Sequence, residues 1–225
     1  MAEIPDLALF GGSGATGQQV IRQAVALGVQ VRALVRPTSV HLLQSDSSHR
    51  LEIRTGSLLN AEDVENLVKD CGAVCCVFGP RPPFGDLFCA EATRLIVEAM
   101  HKHGLRRILC QTGAMIGEYR QNRTWPFQRL VEVFHRLSPE LAADRAAQEA
   151  CVQSSGLDWT LVKPPRLTHQ PIRGRVVVGP TVKVGLGSRI SRADLAEFLL
   201  RELYFPEYSG QVVFVRHPGI LGSGC

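Results

Sequence analysis

The stretch Phe10-Gly-Gly-Ser-Gly-Ala-Thr-Gly17 constrains this chain more than any other feature. It follows an apolar run, Leu7-Ala-Leu-Phe10, and precedes a segment of helical spacing in which Val20, Ile21, Ala24 and Val25 share a face up to a stop at Gly28. Gly11, Gly14 and Gly17 have G-x-x-G-x-x-G spacing. Glycines at a strand-to-helix turn allow a tight bend, close approach of backbone to a pyrophosphate, and close packing of helix on strand. The helix start adds free N–H groups and a partial positive charge. A dinucleotide diphosphate is the expected occupant.

The rest of the chain repeats the alternation of apolar runs and helical patterns. Further strands are expected over residues 29–35, 51–54, 73–78, 107–112 and 159–163, with helices over 61–70, 87–103 and 144–155. Short strands near Val176 and Val182, a helix over 192–203 and a last strand over 211–215 complete the pattern. Such alternation marks a parallel sheet flanked by helices, and 225 residues suit one large domain better than two small ones. The expected fold is α/β: a single-domain, Rossmann-type, doubly wound parallel sheet over 1–218, with a small C-terminal extension on the substrate side and a frayed tail over 219–225. The segment 117–141 is the least regular; it carries Trp125, Phe127 and Phe134 and reads either as a helix packed on the surface or as a flap over substrate.

The end of the second strand points to the cofactor subtype. A carboxylate there would hold the ribose 2′-hydroxyl of NAD(H), but the chain has Leu34-Val-Arg36-Pro-Thr-Ser39. A guanidinium fork suits a 2′-phosphate, and Thr38 and Ser39 add hydroxyl donors. NADP(H) is the expected cofactor.

Composition narrows the classes further. A net charge of +4 is too small and scattered for a nucleic-acid binder. No apolar run approaches the roughly 18 residues of a membrane span, and the N-terminus lacks a secretory signal. A soluble, cytoplasmic protein without membrane contact is expected, as a monomer or weak homo-oligomer. The seven cysteines show no metal spacing, and adjacent Cys75 and Cys76 point to opposite faces of a strand. They read as small buried hydrophobes with no metal site.

On these residues the chain resembles the atypical short-chain dehydrogenases of the NAD(P)H-binding, NmrA-like family, and within it the branch of biliverdin-IXβ and flavin reductases. The resemblance rests on the Gly11–Gly17 turn, Leu34-Val-Arg36, Gly56, Gly79, Ser155-Gly-Leu157, Pro164-Pro165, Gln170-Pro171, Ser188-Arg-Ile-Ser191 and Asp194-Leu195. It implies that the backbone from Ser13 through Gly14 and Ala15 to Thr16 cradles the diphosphate and that Arg36 reads the 2′-phosphate. It further implies that Gly56, Ser57 and Leu58 lie along adenine, and Phe78, Gly79 and Arg81 along the ribose. Thr112 and Gly113 would face the nicotinamide, with Pro164 and Pro165 fixing the loop beneath. The chain departs from the pattern at Ser57, where an acid is usual, at Gly113, where a serine is usual, and at Arg166, where the reductases carry a histidine. Segment 117–141 is also longer.

The chemistry expected is restricted. Ordinary short-chain dehydrogenases use Tyr-x-x-x-Lys, whereas Tyr119 is followed at that spacing by Arg123. Reducing a planar conjugated acceptor (a flavin, a linear tetrapyrrole, a quinone) asks less, because the cofactor carries the hydride and water can supply the proton. Candidate catalytic side chains are Tyr119, with neighbouring Glu118, as proton donor, Arg166 as anchor for a substrate phosphate or propionate, and Lys163, facing either cleft or solvent. His169 stands near Arg166. Two other readings remain on the same scaffold: a reductase or isomerase of specialised metabolism, and a regulator that senses NADP(H) without turnover.

Overall fold

The computed structural model describes residues 5–43, 49–80 and 87–219. Its strands are β1 (Leu7–Phe10), β2 (Val31–Val35), β3 (Leu51–Thr55), β4 (Ala73–Cys76), β5 (Arg107–Gln111), β6 (Asp158–Lys163), β7 (Arg166–Thr168), β8 (Val177–Gly179), β9 (Arg189–Ser191) and β10 (Gln211–Arg216). Eight of them form one sheet in the order β3-β2-β1-β4-β5-β6-β10-β8, parallel throughout except for β8 against β10. β7 and β9 pair in parallel as a separate two-stranded sheet. The chain winds outward in both directions from β1 and β4, so the crevice of a doubly wound sheet opens at the carboxyl ends of these strands.

The helices are α1 (Ala15–Ala26), α2 (Ala61–Val68), α3 (Cys89–Lys102), α4 (Trp125–Leu137), α5 (Pro139–Gln153) and α6 (Arg192–Tyr204). Strand alternation explains their division between two faces. Leu7 and Leu9 of β1 join Val20 and Ile21 of α1 and Leu195 and Leu199 of α6 in one core; Ala8 and Phe10 join Val64 of α2, Ile96 of α3 and Val152 of α5 in the other. Cys75 and Cys76 divide the same way, and the six described cysteines are free. Burial pushes the Cys75 thiol up to about 12, so it packs as a small hydrophobe.

Local chemistry sets the helix boundaries. Asn60 accepts from the Asp63 N–H at the start of α2, and Ser191 from the Asp194 N–H at the start of α6. α3 has no such cap of its own; Asp144 of α5 reaches across to accept from the Cys89 and Ala90 N–H groups, each at 3.0 Å. That bond pins the start of α3 to α5, beside the strand ends.

Two expectations change. No strand forms at Val182; that stretch gives its backbone to Asn122 and Arg123 instead, through Val184 N to Asn122 O at 2.8 Å and an isolated bridge between Arg123 and Val184. The C-terminal extension is partly absorbed into the main sheet, where β10 pairs with β6 and carries β8 beyond it. The tail expected to fray lies, from residue 220 on, outside the described residues.

Candidate cofactor and acceptor site

The glycine turn is shaped by its own backbone. Gly11 has φ +97°, and a Cβ there would sit 2.7 Å from the Phe78 nitrogen at the end of β4. A Cβ on Gly17 would lie 2.2 Å from the Gly11 carbonyl oxygen and 2.7 Å from the Gly12 Cα, so α1 packs on the turn only with hydrogen at that position. Gly14 differs: its Cβ would approach only the Gly11 oxygen, at 3.2 Å, and otherwise meet open space. α1 starts there with no side-chain cap and no acid in its first turn. An uncapped helix start beside open space fits a diphosphate. Ser13 is half-buried and Ala15 exposed on this turn, while Thr16 is buried.

Arg36 lies one residue beyond β2, exposed, and no side-chain partner holds it among the described residues. Its carbonyl accepts from the Ser39 N–H at 2.8 Å, which folds the Pro37–Leu42 turn back on it; Thr38 is exposed and Ser39 buried. No carboxylate follows β2 directly. At the end of β3 the exposed Ser57 gives its N–H to Asp63 Oδ2 at 2.8 Å, and Leu58 packs partly against the core. Asp63, from the first turn of α2, thus brings a carboxylate beside position 57.

α5 reaches under the next two strand ends. Buried Arg145 donates to Phe78 O at 3.1 Å and to Gln111 O at 3.3 Å, and Gly79 lies against it. The exits of β5 and β6 run side by side, with Thr112 N to Val162 O at 3.0 Å and Ala114 N to Pro164 O at 2.9 Å. Pro164 is buried and Pro165 half-buried. At Gly113 a Cβ would meet nothing, so a serine there would project into free space. Arg81 falls outside the described residues.

Lys163 faces neither cleft nor solvent. Its side chain is fully buried and paired with Glu149 of α5, whose Oε1 also accepts from Thr112 Oγ1 at 2.6 Å. A charge at that depth is tolerated only with a partner. Burial outweighs the attraction of Glu149 and brings the Lys163 ammonium down to about 8. The Tyr119 ring lies over it, 4.5 Å from Nζ. Burial, and then the Glu149 charge, push the Tyr119 hydroxyl up to about 12, and Gln153 donates to it at 3.4 Å. The structure therefore brings Tyr119, Lys163, Thr112 and the unforeseen Glu149 into one cluster beneath the exits of β5 and β6.

Arg166 stands apart from that cluster, exposed on β7, in register with Arg189 of β9. Glu118 and His169 are exposed as well. Arg123 is not a stand-in for the lysine of a Tyr-x-x-x-Lys pair. It is buried, and its guanidinium ties the carbonyls of Ala114, Ile116 and Gly117 at 2.9, 2.8 and 3.0 Å. Segment 117–141 resolves into that loop, α4 and the first residues of α5. Asn122 donates to the Pro180 and Val182 carbonyls at 2.8 and 3.1 Å, so the loop is sewn to the strand β8 side of the sheet.

The model of the NAD(P)H-binding family matches residues 11–206. The chain belongs to the NAD(P)H-binding family. An uncharacterized chloroplastic protein of Arabidopsis thaliana is 28% identical over 215 residues, covering 90% of this chain and 73% of that one. Among solved structures, the anaerobilin reductase ChuY of Escherichia coli O157:H7 superposes with a TM-score of 0.78 at 20% identity, over 96% of this chain and 98% of that one. A wide-type short-chain dehydrogenase/reductase of Veillonella parvula, in complex with NADP, gives 0.78 at 14% identity over 96% of each chain. These neighbours share the fold. In this NAD(P)H-binding protein the bare start of α1 and the open side of Gly14 leave N–H groups and space free at the glycine turn.

Proposed function

We propose that this protein is an NADPH-dependent reductase of a planar conjugated acceptor, a flavin, a linear tetrapyrrole or a quinone-like ring. The observation that carries the reading is what the two sides of the crevice offer. Around Gly14 and Arg36 stand anion-binding groups with no carboxylate directly after β2. Beneath the exits of β5 and β6 Lys163 is spent on Glu149, which leaves no free acid–base dyad among the described residues. When bound, NADPH supplies the hydride. The chain's own part is then orientation: Thr112 and Pro164-Pro165 form the floor, the free space at Gly113 receives the ring, and Arg166 holds an anionic substituent. The likeness to an anaerobilin reductase supports an acceptor of the bilin kind. Steady NADPH consumption with a panel of flavins, bilins and quinones tests the reading. Binding of NADPH without turnover on any of them would favour a sensor.

Cofactor choice gives a first expected result. NADP(H) binds at least about tenfold tighter than NAD(H), a difference of about 1.4 kcal/mol, and Arg36→Ala removes most of it while NAD(H) affinity stays nearly constant. Calorimetry on the wild type and the variant measures both. Equal affinities in the wild type would remove the basis for preferring the phosphorylated cofactor.

Tyr119 gives a second. Its ring serves as a cover over Lys163, and its hydroxyl sits too high on the pH scale, about 12, to donate readily at neutral pH. Tyr119→Phe keeps the ring and should retain kcat within about tenfold, because an essential general acid contributes about 10²–10⁴-fold. A thousandfold loss with NADPH affinity unchanged would make Tyr119 the proton donor.

A further inference from the structure

Helix α4 is apolar over a wider arc than its packing uses. Phe127 and Val131 enter a small core with Ala114, Val184 and Phe214. Pro126, Leu130, Val133 and Leu137, spaced i, i+4, i+7 and i+11, form a second stripe about a third of a turn away. Leu130, Val133 and Leu137 are 44%, 47% and 79% exposed, and Trp125, in the first turn, is 71% exposed. Leu186, 61% exposed, adjoins the same end of the helix: Thr124 N donates to Val184 O at 2.9 Å, and a Cβ on Gly185 would lie 2.9 Å from Thr124 Oγ1. Leu130, Val133 and Leu137 thus form one exposed apolar stripe, with Trp125 in the first turn of the same helix and Leu186 on the adjoining turn, which marks an interaction surface.

Basic residues outnumber Glu132 at the charged margin of the patch. Arg129 and Arg136, seven residues apart, line one margin of the stripe; Arg129 lies over the Trp125 ring at 5.4 Å and pairs with Glu132 at 3.1 Å. Residues 159–193 carry seven Lys and Arg and no Asp or Glu. Apart from buried Lys163, none of those seven forms an ion pair among the described residues, and Arg166, Arg173, Arg175, Lys183 and Arg189 are exposed. Lys183 is next to Val184, on the turn that meets α4. With 25 Lys and Arg against 21 Asp and Glu overall, the rest of the chain is net acidic. Of the seven, Lys183 is the one that the structure places beside α4.

We propose that α4 and the 183–187 turn dock on an anionic lipid surface, with the helix lying in the plane of the interface. The stripe enters the apolar boundary, Trp125 sits at headgroup level, and the Arg129 and Arg136 stems lie along the surface with their guanidinium groups at the phosphates. A second copy of the chain is a poorer occupant. In an antiparallel two-fold pairing of α4 each flank meets its own copy, which sets Arg129 and Arg136 against the same residues. No helix of the described residues is long and apolar enough to cross a membrane, so the contact is peripheral. It departs from the expectation, drawn from hydropathy along the chain, of no membrane contact; a stripe on one helix leaves no long apolar run to find.

The test is co-sedimentation of the full chain with vesicles of phosphatidylcholine alone or with roughly 30% phosphatidylglycerol, near 0.1 M salt. The expected result is at least tenfold more protein on the anionic vesicles, with release at about 0.5 M salt. A blue shift of tryptophan fluorescence should accompany binding and vanish in Trp125→Phe. Leu130→Gln/Val133→Gln and Arg129→Gln/Arg136→Gln should each weaken binding at least tenfold while NADPH affinity, which reports an intact fold, stays unchanged. Equal binding to both vesicle types, no binding to either, or binding that survives both double variants would overturn the proposal. So would a concentration-dependent dimer dissolved by Leu130→Gln/Val133→Gln, since the face would then belong to a second copy.

Discussion

Gly14→Val is expected to weaken NADPH binding by at least about a hundredfold, some 2.7 kcal/mol, while the unfolding midpoint of the cofactor-free protein barely moves. The backbone at Gly14, φ −76° and ψ 159°, is open to any residue, and an added Cβ approaches only the Gly11 oxygen. Its branches would fill the space where the diphosphate meets the first turn of α1. Gly17→Ala is expected to behave in the opposite order. Its Cβ collides with the Gly11 oxygen and the Gly12 Cα, backbone atoms that move only if the turn is rebuilt, so stability falls by about 1–3 kcal/mol as in other overpacked sites. Thermal unfolding with and without NADPH separates the two, because a ligand raises the midpoint only of a protein that binds it. A Gly14→Val protein stabilised by NADPH as strongly as the wild type would place the cofactor elsewhere.

That contrast also shows which parts of the molecule are readable from the chain. Gly11 and Gly17 announce the turn because each answers to a backbone requirement, Gly14 keeps the spacing, and the strands around them are continuous apolar runs. The six-strand core and the glycine turn at its edge were therefore legible. Boundaries moved by a few residues where caps decide them, as at α3, whose start is fixed by Asp144 from another helix. The three-residue strands β7 and β9 escaped because neither has a pattern long enough to show a period.

The candidate site was legible in the shape of its glycine turn and much less beneath the exits of β5 and β6. Arg36 is read from its place after a strand. Lys163 was singled out, but its environment was not, since nothing local says that a strand-end lysine turns inward. A usable signal did exist: Arg145 and Glu149 are four apart on the helix between β5 and β6, so they share a face. One face carrying both charges toward a sheet must be answered there, by carbonyls for Arg145 and by Lys163 and Thr112 for Glu149. In segment 117–141 the reason is different. Arg123 and Asn122 bind carbonyls from the loop itself and from residues about 60 positions away, which no local periodicity encodes.

Glu149→Gln is expected to cost about 3–5 kcal/mol of stability at pH 7, the usual result of stripping a buried ion of its partner. Lys163 would keep its full burial and lose the charge that opposes it, and Thr112 would lose its carboxylate acceptor. The pH dependence follows from the direction of the shift. In the wild type Lys163 is already lowered, to about 8, against about 10.4 in an unfolded chain. Without Glu149 it falls further, so across the window between the two values the unfolded state binds more protons than the folded one. Stability of the variant should therefore rise with pH through that window, and the deficit should be smaller at pH 9 than at pH 6. Adding Lys163→Met should return most of the loss, because both buried charges are then gone and the space remains filled with apolar atoms. Urea unfolding of the wild type, Glu149→Gln and the double variant at both pH values measures each term. A Glu149→Gln protein within about 1 kcal/mol of the wild type at pH 6, below the usual cost of an unpaired buried charge, would show that the pair does not hold β5, β6 and α5 together as described.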